Sequence, residues 1–227
     1  MKSNSYWHNH EKANQYISRL QEPGKNMHDI ICGFLKEITI RSFSDPQINP
    51  GNNLLIDIGC GPGSVSAQFI EALGFKEFLA VDISNAMLDN VPGYVDIEKV
   101  RTTFQKADMN KDQLKASDQS ANMVLSAQMI FYLADIENFF REVVRVLKPG
   151  GLFALSCLVH TQTTPRSIFC ENSEYVMDTF AHSQMGIIYR LIAQRFEVFV
   201  SDIGPALYYT KKPIPVHNGV FLFRKRQ

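Results

Sequence analysis

The chain has 227 residues, of which 45% are hydrophobic and 20% charged, the composition of a globular protein with a substantial core. Its 23 lysines and arginines balance 23 aspartates and glutamates, and this net charge of zero disfavours a dedicated nucleic-acid-binding protein. No uninterrupted apolar stretch approaches the roughly 20 residues of a membrane span, and the first residues lack the apolar core of a signal peptide, so we expect a cytoplasmic protein without membrane attachment.

The first part of the chain predicts an N-terminal helical cap. Two helical patterns come first, and in the second of them six apolar residues recur at helical spacing and would form one apolar face: Met27, Ile30, Ile31, Phe34, Leu35 and Ile38. Residues 42–53 contain two prolines and one glycine and therefore predict a loop that ends the cap.

Strands then alternate with helices. Short apolar runs predict four strands, at residues 54–58, 78–81, 122–127 and 152–158, and the more polar residues 100–107 predict a further strand between the second and the fourth. Three helices are predicted between them: one capped by Ser64 and stopped by Gly74, one starting at Ser84, and one capped by Asp135 and stopped at Pro149. This alternation predicts an α/β protein with a doubly wound parallel sheet.

The pattern changes in the last third. Residues 160–172 are polar and irregular, and residues 174–194 predict a helix. Two final strands are predicted at 196–200 and 219–223. The second follows too soon for a helical crossover, so we expect it to be antiparallel to its neighbour.

Residues 54–64 carry the most informative pattern: an apolar run containing Asp57, then Gly59, Gly61 and Gly63 at alternate positions, then Ser64. Glycine permits positive φ and lets a strand-to-helix turn approach a ligand closely, and the free N–H groups of the following helix suit a carboxylate. An acid followed by Gly-x-Gly-x-Gly after the first strand resembles motif I of class I S-adenosylmethionine-dependent methyltransferases. In that context Asp57 would meet the ammonium group of the cofactor, directly or through water.

Two further acids follow predicted strands in the order that this family shows. Asp82 ends the second strand, where a carboxylate can accept hydrogen bonds from both ribose hydroxyls, and Ile83 would pack on the adenine. Asp108 follows the third strand and would accept from the adenine N6 amine, with Met109 beside the ring. Met87, on the helix after Asp82, is a further candidate contact with the cofactor.

The end of the fourth predicted strand completes the candidate site. There, backbone carbonyls of Ser126 or Ala127 would face the methionine ammonium. Tyr16 lies in the N-terminal region that folds over the cofactor cleft in many relatives, and its ring would contact the sulfonium or simply pack in the core. Three residues are candidates for the substrate side: Gln128, Phe131 and His160. No catalytic residue is assigned, and a dedicated base is optional if the acceptor is already ionised.

The resemblance covers about residues 53–156, with Asn122 standing where relatives often have aspartate. It implies a Rossmann-like sheet in the order 3-2-1-4-5-7-6 with an antiparallel last strand. One domain is expected, divided into a helical cap (1–50), a cofactor-binding core (51–160) and a substrate-side part (161–227). The expected cofactor is S-adenosyl-L-methionine, and the expected partner is a small-molecule methyl acceptor bound by a monomer or homodimer.

Other functions remain open. A methyltransferase-like binding or accessory protein without turnover is the main alternative, and an RNA methyltransferase and an aminopropyltransferase share the fold. An NAD-dependent oxidoreductase fits less well, because those proteins prefer Gly-x-Gly-x-x-Gly and Asp57 would repel a pyrophosphate. The four cysteines include no Cys-x-x-Cys pair, so we expect neither a disulfide framework nor a metal site.

Overall fold

The computed structural model describes residues 7, 9–20, 27–46, 49, 51–133, 136–161, 168–172, 177–204 and 217–227. Its helices are α1 (His10–Leu20), α2 (Met27–Phe43), α3 (Ser64–Leu73), α4 (Asn85–Leu88), α5 (Glu137–Val146) and α6 (Gln184–Ala193). Its strands are β1 (Leu54–Ile58), β2 (Glu77–Asp82), β3 (Arg101–Lys106), β4 (Ala121–Ala127), β5 (Leu147–His160), β6 (Ile168–Asn172), β7 (Met177–Ser183), β8 (Phe196–Gly204) and β9 (His217–Lys225). Short 3₁₀ turns occupy Val91–Gly93 and Ile130–Tyr132.

The sheet has the predicted doubly wound order. Strands β3, β2, β1, β4 and β5 lie side by side and parallel. Antiparallel β9 pairs with the far edge of β5, and β8 pairs with β9. Counted without the β6–β7 hairpin, this is the order 3-2-1-4-5-7-6 with an antiparallel last strand, so the predicted fold is confirmed.

The β6–β7 hairpin is an addition to that order. Val159, near the end of β5, pairs with His217 of β9 on one edge and with His182 of β7 on the other. Since β4 pairs with β5 only as far as Ser156, β7 takes over the edge that β4 leaves. The hairpin therefore lies beyond the carboxyl end of β4.

The core lies on both faces of the sheet, which is why the central strands read as continuous apolar runs. On one face Ile56 and Phe153 pack with Phe139 and Phe140 of α5. On the other face Leu55 and Leu152 pack with Phe69 of α3 and Leu35 of α2. Successive side chains of β1 thus pack on opposite faces of the sheet, as the alternation of side chains along a strand requires.

The predicted apolar face of α2 is partly wrong. Ile31 and Leu35 are buried, but Ile30 is 65% exposed and Phe34 is 39% exposed. The buried stripe continues instead through Thr39 and Phe43, at spacings of four residues. The side chain of Met27 lies outside the described residues, and Ile38 packs at the edge of the core.

The last third differs most from the predictions. Residues 177–183, expected to be helical, form β7, and α6 begins only at Gln184. Ser183 explains this start, because its Oγ accepts a hydrogen bond from the Gly186 N–H at 3.1 Å and so caps the helix. The predicted irregular segment also contains a strand, β6, which pairs with β7.

Glycine stands at both ends of α3. Gly63, not Ser64, is the N-cap of α3, with a φ of 87° and no side-chain cap. Gly74 ends α3 in the left-handed conformation, as predicted, and its N–H bonds the carbonyl of Ile70 at 2.8 Å. The predicted cap Asp135 lies outside the described residues, and α5 begins at Glu137.

None of the described helices has both the length and the hydropathy needed to cross a membrane. The predicted division of the chain at residues 50 and 160 stays a prediction.

Candidate functional site

A cleft of about 950 Å³, including solvent at its mouth, lies at the carboxyl ends of β1, β2, β3 and β4. This is where ligands bind in doubly wound sheets. Eleven predicted site residues line it: Tyr16, Asp57, Gly59, Gly61, Asp82, Ile83, Met87, Asp108, Met109, Ala127 and Gln128. The structure therefore brings together residues at the carboxyl ends of four strands and a residue of the N-terminal helix α1.

Asp57 is the most deeply buried acid of the cleft, with 1% of its surface exposed. Its Oδ2 accepts a hydrogen bond from Ser66 Oγ at 2.6 Å, whereas Oδ1 has no hydrogen-bond partner among the described residues. Burial raises the pKa of Asp57 to about 7, an effect that the Ser66 bond opposes and the charge of Asp82 reinforces. An unpaired buried carboxylate oxygen at a cleft is suited to a cationic group from a ligand.

The glycine loop bends around this acid and is tied to β2. The N–H groups of Gly59 and Cys60 both donate to the carbonyl of Val81, at 2.8 and 3.0 Å. Gly59 has a φ of 78°, and a Cβ there would lie 2.2 Å from Cγ of Met129. Gly61 has a φ of 54°, yet a Cβ there would meet nothing within 4 Å, so its bare backbone faces open space in the cleft.

Asp82 links the loop to the second strand. Its Oδ2 accepts from the Gly61 N–H and its Oδ1 from the Ser84 N–H, both at 2.9 Å. Burial raises its pKa to about 6, against the lowering effect of these N–H groups. Each oxygen has a second lone pair, so a diol could add two hydrogen bonds without breaking those present.

Asp108 follows β3 and is held in a turn. Its Oδ1 accepts from the backbone N–H and side-chain Nδ2 of Asn110, at 3.1 and 2.9 Å, and its own N–H donates to Asp112 Oδ2 at 2.8 Å. Met109 is buried beside it and lines the cleft. The three acids thus lie at the carboxyl ends of three adjacent parallel strands, in the order β1, β2, β3.

Gln128 closes the other side of the cleft. It has a φ of 56°, in the left-handed region, and its N–H donates to the carbonyl of Ser156 at 2.8 Å. Its side chain is 9% exposed, and its Nε2 has no hydrogen-bond partner among the described residues. The conformation was not predictable from sequence, since glutamine seldom adopts it.

Aromatic rings from the N-terminal cap cover the cleft. Trp7 meets Tyr16 edge to face at a centroid distance of 5.2 Å and Tyr132 at 5.8 Å. Helix α1 is seated by Ala13 and Ile17, which pack against α4. Trp7 and Tyr132 thus join the β4 side of the cleft to the cap.

Four predicted site residues do not line the cleft. Gly63 caps α3, and Ser126 is buried with its Oγ donating to the carbonyl of Ile58 at 2.9 Å. Phe131 is buried against Tyr132, and His160 is fully buried at the end of β5. These four residues could therefore affect a ligand in the cleft only through the residues that lie between them and the cleft.

Sequence reasoning did not single out several residues that the cleft requires. Ser66 orients Asp57 from the first turn of α3, and Met129 fills the space beside Gly59. Leu133 lines the cleft beside Tyr132. No sequence signal marks Ser66, because its role depends on the angle at which α3 leaves the loop.

The geometry fits an adenosyl amino acid. The unpaired Oδ1 of Asp57 provides an acceptor for an ammonium group, and Gly61 leaves space where any side chain would intrude. Asp82 retains lone pairs for a diol, and apolar Ile83 and Met109 border the same side of the cleft.

Comparison with known proteins agrees with this geometry. Residues 55–151 match the family model of a methyltransferase domain. The chain is 28% identical over 105 residues to the sterol 24-C-methyltransferase of Aspergillus fumigatus, covering 44% of this chain and 26% of that protein. It is 29% identical over 136 residues to a malonyl-acyl-carrier-protein O-methyltransferase of Hahella chejuensis, covering 60% of this chain and 47% of that protein.

Solved structures share the fold. An S-adenosylmethionine-dependent methyltransferase of Mesorhizobium loti superposes with a TM-score of 0.60 at 18% identity, covering 84% of this chain and 98% of that one. The match of residues 55–151 and the shared fold together support a class I S-adenosylmethionine-dependent methyltransferase, and they imply S-adenosyl-L-methionine as the cofactor. The matched region spans less than half the length of the two curated relatives.

Proposed function

We propose that this protein transfers the methyl group of S-adenosylmethionine to a small-molecule acceptor. The observation that carries the proposal is the set of three acids, Asp57, Asp82 and Asp108, which end adjacent parallel strands and line one cleft. Their order across the sheet matches the order of an ammonium, a ribose diol and an adenine amine along the cofactor.

The amino acid part of the cofactor would lie at β1. Asp57 Oδ1 would accept a hydrogen bond from the ammonium group of the cofactor. Ser66 would hold the Asp57 side chain in place for that contact. The start of α3, directly after the glycine loop, presents free N–H groups that would receive the carboxylate. Ammonium and carboxylate would thus be bound by different elements on the two sides of Gly61.

The adenosine part would lie at β2 and β3. Asp82 would accept from both ribose hydroxyls while keeping its bonds to Gly61 and Ser84. Asp108 would accept from the adenine N6 amine, and Ile83 and Met109 would flank the ring. The bonds that fix each carboxylate before binding reduce the ordering cost of recognition.

When bound, the cofactor supplies an electrophilic methyl group on a cationic sulfur. The role of the protein is then to place the acceptor atom in line with that methyl at about 3 Å and to exclude water. Trp7, Tyr16 and Tyr132 serve this purpose at the cap, because their apolar faces cover the cleft. We assign no general base.

The cap supports a small acceptor. Trp7 reaches Tyr132 across the cleft, and this arrangement leaves an enclosed space rather than an open platform for a folded protein. The names of the two curated relatives include a sterol and a carrier-bound malonyl group, so acceptors in this family differ widely. Fold alone does not choose among them.

Calorimetry with S-adenosylmethionine, S-adenosylhomocysteine and NAD, followed by transfer of radiolabelled methyl to a small-molecule extract, tests the proposal. We expect both sulfur nucleosides to bind, NAD to give no heat, and label to appear in a low-molecular-weight fraction. Binding without transfer to any fraction would favour the accessory role. Label found in RNA or protein alone would contradict the small acceptor, and binding of NAD alone would contradict the cofactor assignment in this chain.

A further inference from the structure

The β4 side of the cleft differs chemically from the side that holds the three acids. Gln128, Met129, Tyr132 and Leu133 all border the cleft there, and Trp7 covers them. All of these side chains are uncharged. Because the acids account for the cofactor, this end of the cleft is the part left for the acceptor.

Gln128 is the polar group of this end. Its backbone is fixed by the bond to the Ser156 carbonyl at 2.8 Å, and nine-tenths of its side chain is buried. Its Nε2 donor lacks a hydrogen-bond partner in the described part of the chain, which is costly for a buried amide. A ligand with a carbonyl-type oxygen would remove that cost.

The walls around Gln128 select for shape. The ring of Trp7 stands edge to face against Tyr132 at 5.8 Å, with an interplanar angle of 76°. Met129 supplies a flexible thioether and Leu133 a buried apolar surface. Perpendicular aromatic faces with apolar neighbours favour a flat, conjugated molecule.

Charge disfavours an anionic acceptor. The described residues that line the cleft include three aspartates and no lysine, arginine or histidine. Three carboxylates outnumber the ammonium and sulfonium charges of the cofactor, so a second anion would meet net repulsion. His182 lies behind this end, where its Nε2 donates to the Ile130 carbonyl at 2.8 Å, and burial lowers its pKa to about 4, so it is neutral.

We infer that the acceptor is an uncharged, planar aromatic or conjugated molecule with a carbonyl-type oxygen, and that Gln128 is the specificity-determining residue that donates a hydrogen bond to this oxygen. The inference rests on the proposed function, because it assigns the acceptor end of the same cleft.

The test uses three probes of equal shape in the presence of saturating S-adenosylhomocysteine. They are 2-acetylnaphthalene, 2-isopropenylnaphthalene, which lacks the oxygen, and the anion 2-naphthoate. Calorimetry should show the acetyl probe binding about tenfold more tightly than the isopropenyl probe, and 2-naphthoate most weakly. Gln128→Leu should bring the first two within about twofold, because the donor is gone.

The matched control is Gln113→Leu, since Gln113 is exposed and does not line the cleft. It should keep the wild-type order of affinities. Unchanged melting temperature and S-adenosylhomocysteine affinity in Gln128→Leu would separate a specificity role from a structural one. Equal affinities for the two neutral probes in the wild type, a preference that survives in Gln128→Leu, or tightest binding of 2-naphthoate would overturn the inference while the proposed function stands. Absence of S-adenosylhomocysteine binding would overturn both.

Discussion

The buried carboxyl of Asp57 predicts that cofactor affinity depends on pH near neutrality. Its pKa is raised to about 7, chiefly by burial. An ammonium group beside Oδ1 would stabilise the ionised form and lower that pKa. Binding then releases a proton wherever Asp57 is protonated in the free protein, so affinity must rise with pH and level off above about pH 7.

The magnitude follows from the competition between the proton and the ligand. Below a pKa of about 7, each pH unit weakens apparent affinity about tenfold. Between about pH 8 and about pH 6 the expected loss is therefore roughly tenfold, or about 1.4 kcal/mol. Asp82, with a pKa of about 6, adds a smaller loss over the same interval.

Two ligands separate these contributions in a calorimetric titration. S-adenosylhomocysteine carries the amino acid group, whereas 5′-methylthioadenosine keeps the ribose and adenine but lacks the ammonium. The ratio of their dissociation constants should change about tenfold across the interval, since Asp82 affects both alike. In Asp57→Asn the ratio should stay constant. The assignment of Asp57 to the ammonium group is refuted if the ratio of dissociation constants is independent of pH in the wild type. It is also refuted if this ratio still changes with pH in Asp57→Asn.

Three further predictions concern Asp57, Asp82 and the glycine loop between their strands. Asp57→Asn should raise the free energy of unfolding at about pH 8 by on the order of 4 kcal/mol, because the pKa of Asp57 is raised from 3.8 to about 7 in the folded state and its ionisation therefore costs stability at higher pH. Thermal melting at several pH values should show this gain vanishing near about pH 4. Asp82→Asn should weaken S-adenosylhomocysteine binding by about 1.5–3 kcal/mol in calorimetry, and unchanged affinity would contradict ribose binding. Gly59→Ala should lower the melting temperature through its clash with Met129, whereas Gly61→Ala should mainly lower cofactor affinity, so equal effects of the two changes would argue against the cleft geometry.

Local chemistry was sufficient to predict the cofactor half of the fold. A buried parallel strand, a glycine turn and a short helix follow one another within residues 54–74, and each has its own signal in neighbouring residues. Asp82 and Asp108 could be placed for the same reason, because each lies at the carboxyl end of a strand. Their convergence on one cleft then follows from parallel topology.

Long-range contacts were not predictable in this way. The contact between Trp7 and Tyr132 depends on how the cap folds back over β4. The β6–β7 hairpin was missed because pairing between strands gives no periodic signal of its own, and its residues did not alternate clearly. The unusual backbone of Gln128 likewise comes from a bond to Ser156 on the neighbouring strand.

The attachment of the hairpin to the sheet is narrow. In the described part of the chain, β7 meets β5 through two residue pairs, Val159 with His182 and His160 with Ser183, whereas β9 meets β5 through eight. Insertions or deletions in the β6–β7 hairpin would therefore disturb few hydrogen bonds of the half of the sheet formed by β1 to β4. Related chains can therefore vary in this hairpin while the half of the sheet that carries Asp57, Asp82 and Asp108 is retained.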